Sequence, residues 1–185
     1  MSYIETPPDH KFPWYVRLFL ANQRRRYGRE LEPARLWGRS PWVFAGLSLL
    51  YGALDRKSSP IEPALRTLIT VFVSQLNWCA FCIDINSATG LKRGLTEAQL
   101  AALREFEISP LFDERIKAAL AYAAAVTGNE MDARLMARLK NHFNDDAIIE
   151  LTALIAFQNL STKFNSALDV AAQGFCSIPP PSKPG

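Results

Sequence analysis

The sequence predicts an all-α protein built as one domain. Apolar residues recur at the helical period almost throughout, and no run alternates as a strand does. Capping residues and glycines break that pattern into segments of helix length. The chain has 185 residues, 49% of them hydrophobic, which is enough to bury one sizeable core. We assign residues 1–178 to the domain and residues 179–185 to a flexible proline-rich tail.

Pro13 opens a first helix, Trp14 to about Tyr27, which Gly28 ends. Arg24, Arg25 and Arg26 sit in its last turn, where cations favour the helix dipole. Pro33 starts a short turn. Ser40 and Pro41 read as an N-cap and a first helical residue, for a helix reaching about Leu54. The segment DRKSSP is a loop. From about Ile61 to Leu76, the residues Ile61, Leu65, Leu68, Phe72 and Leu76 make one apolar stripe.

Asn77 reads as the cap of a helix from Trp78 to Arg93, closed by Gly94. Thr96 and Gln99 form a capping box for the short helix TEAQLAAL. Ser109 and Pro110 open a helix ending near Gly128, and Asp132 caps another that runs to about Phe143. The last helix spans Asp145 to about Gln173. Ile149, Ala153, Ala156, Leu160, Phe164, Leu168 and Ala171 line one face, and Ile148, Leu151 and Ile155 make a second side apolar. A helix apolar on both sides lies deep in a core or between subunits.

The net charge of +3 calls for neither nucleic acid nor an acidic membrane as partner. No signal peptide opens the sequence and no run is apolar enough to span a membrane, so a cytoplasmic location is expected. In that compartment a C-x-x-C is more often catalytic or metal-binding than a structural disulfide.

Such a pair lies in NWCAFCIDIN. On a helical wheel Cys82 falls about 60° and Asn86 about 20° to the same side of Cys79, while Asp84 points the other way. The N-terminus of a helix lowers thiol pKa values, and one turn between thiols permits a disulfide. Zinc would need further ligands, and only His10, His142 and Cys176 accompany the pair besides carboxylates, so no metal or other cofactor is expected. Cys176 is read as a free thiol near the tail, or as an electron acceptor for the pair. Trp14, Trp37, Trp42 and Trp78 fill cores or subunit contacts; Trp78 also stands where it could line a pocket.

The stretch LRTLITVFVSQLNWCAFCIDINSATGLKRGLTEAQLAAL resembles the core of the alkylhydroperoxidase D / carboxymuconolactone decarboxylase family. The resemblance is strongest from about Pro63 to Leu103 and extends more weakly to PWVFAGLSLLYGAL and LTALIAFQNLSTKFNSAL. It implies an all-helical bundle with the C-x-x-C at the start of a central helix, homo-oligomers, and reduction of a peroxide at the expense of a thiol reductant. It implies that Cys82 attacks the peroxide and Cys79 resolves the sulfenate to a disulfide. Members with the thiol centre carry a histidine four residues after the second cysteine and a glutamate twelve before the first. Those positions hold Asn86 and Thr67 here. Asn86 does not titrate near neutral pH, Glu62 is turned away from Thr67, and Asp84 points away from the thiols. Two accounts follow. Either the helix N-terminus and hydrogen bonds from Asn86 sustain an attenuated thiol peroxidase, or the fold persists as a ligand-binding or scaffold oligomer. Lactone decarboxylation ranks last, because members with that activity typically lack the cysteine pair.

Overall fold

The computed structural model describes residues 2–178, so the proline-rich end at 179–185 lies outside the described residues. Among the described residues there are nine α-helices and no strand. They are α1 (Trp14–Tyr27), α2 (Glu32–Gly38), α3 (Pro41–Leu54), α4 (Pro63–Leu76), α5 (Ala80–Lys92), α6 (Glu97–Ala101), α7 (Glu114–Gly128), α8 (Ala133–Lys140) and α9 (Asp145–Ala167). None of these helices is long and apolar enough to cross a membrane.

Helix α4 is the axis of the bundle. Ten of its fourteen residues are buried, and it packs against α5, α7 and α9. Leu68, Ile69, Val71 and Val73 meet Ala118, Ala119, Leu120, Leu151 and Ile155 in the main core. Full burial of each such aliphatic side chain contributes about 1.5–3 kcal/mol. A second cluster joins α1 to α2 and α3 through Val16, Leu20, Ala34 and Phe44. A third surrounds the cysteine pair: Leu36, Cys79, Phe81, Cys82 and Val170, with Phe164 packed against it.

The boundaries differ from the sequence reading in instructive ways. Pro33 lies in the first turn of a true helix, α2, rather than in an isolated turn. The third helix starts at Pro41 as expected, but the Ser40 side chain makes no cap hydrogen bond. Helix α4 begins at Pro63, two residues after Ile61, because a residue before proline is driven to extended backbone; Glu62 has φ −61° and ψ 145°. Ile61 is buried all the same, just ahead of the helix. Helix α7 begins at Glu114 because the Asp113 carboxylate accepts from the Ile116 N–H, whereas Ser109 closes its own turn with the Leu111 N–H. The Thr96–Gln99 capping box and the Asp132 cap are both present.

Helix α9 stops at Ala167, six residues before Gln173. The Val170 N–H bonds the Asn165 carbonyl and the Asp169 N–H bonds the Ser166 carbonyl, with Asp169 at φ 54°. This is the Schellman closure, with aspartate where glycine usually stands. On α9 the stripe through Ile148, Leu151 and Ile155 is the buried one, while Ile149 and Leu160 are exposed.

Helix α3 is the outlier. It carries no charged residue, yet only Phe44 and Leu54 of its fourteen residues are buried. Trp42 is 88% and Leu49 78% exposed.

Candidate active site

The site starts at the turn between α4 and α5. Asn77, expected to cap α5, instead closes α4: its N–H bonds the Val73 carbonyl. Trp78 then takes φ 54°, a left-handed conformation rare for a bulky residue. Its ring lies 3.9 Å under the Arg104 guanidinium, and it lies outside the cavity described below. The Cys79 N–H reaches the Ser74 carbonyl, and Cys79 itself becomes the N-cap of α5. Its Sγ accepts the Cys82 N–H at 3.3 Å. The pair is thus bound into the helix N-terminus, one turn apart, and both are thiols in this structure.

The electrostatics of the two differ. The hydrogen bond with the Cys82 thiol holds the Cys79 pKa below the ordinary thiol value, and the Cys82 N–H acts in the same direction against the effect of burial. The shared hydrogen bond with Cys79, burial and the adjacent Cys79 charge push the Cys82 thiol well up. The first negative charge of the pair therefore rests on Cys79, and the proton on Cys82.

A cavity of ≈ 300 Å³ opens beside Cys82, and its lining includes Cys82 but not Cys79. Aromatic rings of Phe19, Tyr27, Trp37, Tyr51, Phe81 and Phe157 form much of its wall. Along one face of α5 run Cys82, Asn86, Thr89 and Arg93, spaced four, three and four residues apart. Thr67 and Arg66 come from α4. At Gly90 an added Cβ would stand 2.9 Å from Leu95 Cδ1, so the glycine makes room for Leu95, while the Thr67 methyl of α4 would lie at ordinary contact distance, 3.5 Å.

Each residue singled out by sequence can now be placed. Cys79, Cys82, Asn86 and Thr67 converge on this region. Asn86 does not donate to a sulfur; its amide donates to Ser74 Oγ at 3.1 Å, where Gln158 also donates at 3.0 Å. Thr67 Oγ1 donates to the Pro63 carbonyl and accepts from Arg93 at 3.0 Å. Glu62 pairs with Arg115. Asp84 turns from the thiols, as expected, and its carboxylate accepts the N–H groups of Gln173 and Cys176 at 2.8 and 2.7 Å. Cys176 is therefore half-buried and held against α5 rather than loose at the surface. Among the described residues no group of three or more His, Cys, Asp or Glu side chains is placed to share a metal ion.

The sequence reading missed Asn165. Its Nδ2 donates to Cys82 Sγ at 3.2 Å, which is the bond expected of Asn86. The signal was present. The buried stripe of α9 continues through Gln158, Thr162 and Asn165 at helical spacing, so an apolar face turns polar where it meets the thiols.

Comparison with known proteins agrees with this architecture. The carboxymuconolactone decarboxylase family model matches residues 41–125. The uncharacterized protein YnjA of Escherichia coli (strain K12) is 43% identical over 175 residues, covering 94% of this chain and 96% of that protein. The alkylhydroperoxidase D core structure of a peroxidase-related protein from Ralstonia eutropha JMP134 superimposes with a TM-score of 0.80 at 22% identity, covering 94% of each chain. A cysteine-to-alanine variant of the debrominase Bmp8, in complex with 2,3,4-tribromopyrrole, superimposes with a TM-score of 0.82 at 20% identity over 95% of each chain. The chain belongs to the carboxymuconolactone decarboxylase family and has the all-α fold of its alkylhydroperoxidase D-like structures.

Proposed function

We propose that this protein is a dithiol oxidoreductase that reduces a peroxide through Cys82 and Cys79. The observation that carries the reading is the position of Cys82: it lines the cavity and stands one turn from a thiol poised to hold negative charge. No histidine or glutamate serves as base. Cys79 takes that part. Its thiolate accepts the Cys82 proton, and the Cys82 sulfur attacks the peroxide oxygen. The O–O bond breaks, Cys82 becomes a sulfenic acid, and the departing alkoxide takes the proton from Cys79 to leave as the alcohol. The Cys79 thiolate then attacks the Cys82 sulfur, closes the disulfide and expels hydroxide. The peroxide gains two electrons and the dithiol loses two; an external thiol reductant restores the pair. Asn165, donating to Cys82 Sγ, stabilises the charge that appears there when Cys79 takes the proton.

Anaerobic thiol counting tests this. One equivalent of an organic hydroperoxide is expected to remove two thiols, and peptide mapping without reductant to find Cys79 joined to Cys82. Unchanged thiols after that treatment would favour a ligand-binding or scaffold role instead.

The aromatic walls support one other reading of the same dithiol. A halogenated aromatic compound could be reduced in place of a peroxide, the ring exchanging halide for hydrogen as the disulfide forms and halide and a proton leave. Release of bromide from a bromopyrrole, stoichiometric with disulfide, would favour it; Bmp8, which shares the fold, is a debrominase.

A further inference from the structure

The cavity carries a positive charge that the thiol chemistry does not use. Arg26, Arg66 and Arg93 line it, and Asp55 is the one carboxylate in its lining. Asp55 is shared between Arg93 at 2.7 Å and Arg66 at 3.4 Å. Arg66 is only 5% exposed, donates through Nη1 to the carbonyls of Arg56 and Ile61, and leaves its Nε with no hydrogen-bond partner. Arg93 donates to Thr67 Oγ1 and to Asp55, so the rest of its guanidinium fork is free to bind. Arg26 is exposed and makes no ion pair among the described residues. Arg66 is drawn from solvent and Arg93 partly so, and they share Asp55, with Glu150 the other carboxylate that feels Arg66; an anion beside Arg93 would complete the set.

The charge and the sulfur stand at opposite ends of one helix face. Cys82 lies in the first turn of α5 and Arg93 is its C-cap, so their Cα atoms are about 16 Å apart along the axis. Along α5 Asn86 and Thr89 stand between them, and the same lining carries the aromatic residues Trp37, Phe81 and Phe157. A volume of ≈ 300 Å³ lies at the small end of the range for ligand sites and suits a compact molecule of one ring.

We propose that the cavity takes its substrate as an aromatic carboxylate, with the carboxylate on Arg93 and Arg66, the ring against the aromatic wall and the reducible group at Cys82. The orientation rests on the dithiol reading above; the anion site does not. Arg93 offers a planar fork that matches a carboxylate, and Arg66 supplies charge from below.

The test uses two matched, non-reducible probes, 4-isopropylbenzoate and 4-isopropylbenzamide, titrated into the reduced protein by calorimetry. The benzoate is expected to bind at least about tenfold more tightly, a difference of about 1.4 kcal/mol. The preference should shrink as salt is added, fall to near unity in Arg93→Gln, and survive in large part in Arg93→Lys. Circular dichroism reports whether each variant is folded. If Arg93→Gln does not fold, the ratio in the parent protein and its salt dependence decide the matter alone. Equal affinity for the two probes, binding of neither, or a preference untouched in folded Arg93→Gln would overturn the proposal. The two readings separate cleanly. A benzoate preference without thiol loss to hydroperoxide sinks the peroxidase reading and leaves the anion site standing, whereas thiol loss without the preference does the reverse.

Discussion

At the scale of single residues, the site turns on which group moves the proton. Two coupled thiols titrate in two steps that belong to the pair. Here the first step is lowered from the ordinary thiol value and the second raised well above it. In a Cys176→Ser background, which leaves only the pair, thiolate absorbance in the ultraviolet is expected to show one thiolate below that value and a second only well above it. The sign for stability follows. The depressed Cys79 pKa stabilises the reduced fold above the unfolded thiol value and loses that contribution as pH falls through its own. The raised Cys82 pKa works against the fold above the unfolded value. Two thiolates appearing together near the ordinary value would remove the argument for Cys79 as base. Asn165 gives a second handle, because its amide lowers both thiols. A hydrogen bond to a charged group is worth about 1.5–3 kcal/mol. Asn165→Ala should therefore slow disulfide formation by about tenfold or more and move the first titration step up. Asn165→Asp keeps the shape but loses the donor, and should be as slow; parental rates in it would reduce Asn165 to packing.

Asn86 and Thr67 bear on the same proton. A positioned general base contributes about a hundredfold to ten-thousandfold in rate. Asn86 already lies on the cavity, one turn beyond Cys82, so Asn86→His brings an imidazole to the lining. Thr67→Glu would add a carboxylate that Arg93 now reaches through the threonine hydroxyl. The double variant is expected to consume an alkyl hydroperoxide, with dithiothreitol as reductant, at least about tenfold faster than the parent. Asn86→His alone should give part of the gain and Thr67→Glu alone little. A folded double variant at the parental rate would mean that proton transfer does not limit the reaction.

At the scale of elements, the closure of α9 invites a direct test. Asp169 at φ 54° holds a conformation that costs an L-residue more than glycine. Asp169→Gly is expected to stabilise the protein by roughly 1 kcal/mol, raising Tm by about 2–4 °C; an unchanged or lower Tm would show that the aspartate makes compensating contacts. That closure also explains what was legible in the sequence. The helices that announce themselves by side-chain caps, at Thr96 and Asp132, start where the pattern puts them, though they end at Ala101 and Lys140, short of the expected Leu103 and Phe143. The end of α9 was hidden because apolar residues continue past Ala167, and an aspartate rather than a glycine makes the turn. The cap of α5 was hidden for a related reason. Asn77 is a better capping residue than cysteine, but the chain must first leave α4, and the turn through Trp78 hands the cap to Cys79. Of the site, the thiols and Asn86 were readable from local spacing, and Thr67 only through the family resemblance. Asn165 was signalled only by the polar turn of the α9 stripe and Arg66 not at all, because what gives them a role is the approach of α9 and α4 to α5, which local spacing does not state.

At the scale of the whole molecule, α3 is unfinished. A charge-free helix with Trp42, Leu49 and Leu50 open to solvent presents exposed apolar side chains of the kind that mark an interaction surface. Ile149 and Leu160 of α9 add to the exposed apolar surface. We propose a second copy of the chain as the cover, since self-association of one patch by two-fold symmetry is the commonest assembly. The consequence reaches the site, because Leu47, Tyr51 and Leu54 of the same helix form part of the cavity wall. Packing on the outer side of α3 would fix the wall that faces Cys82, so assembly and substrate binding should rise and fall together. Light scattering at micromolar concentration is expected to give a mass above the 20.7 kDa of one chain. Trp42→Glu combined with Leu49→Glu, both exposed and neither in the cavity lining, should bring the mass down to one chain and weaken 4-isopropylbenzoate binding with it. A parent protein that runs as a single chain would leave α3 without this role. A monomeric double variant that binds the probe as tightly as the parent would show that the cavity wall stands without the neighbour.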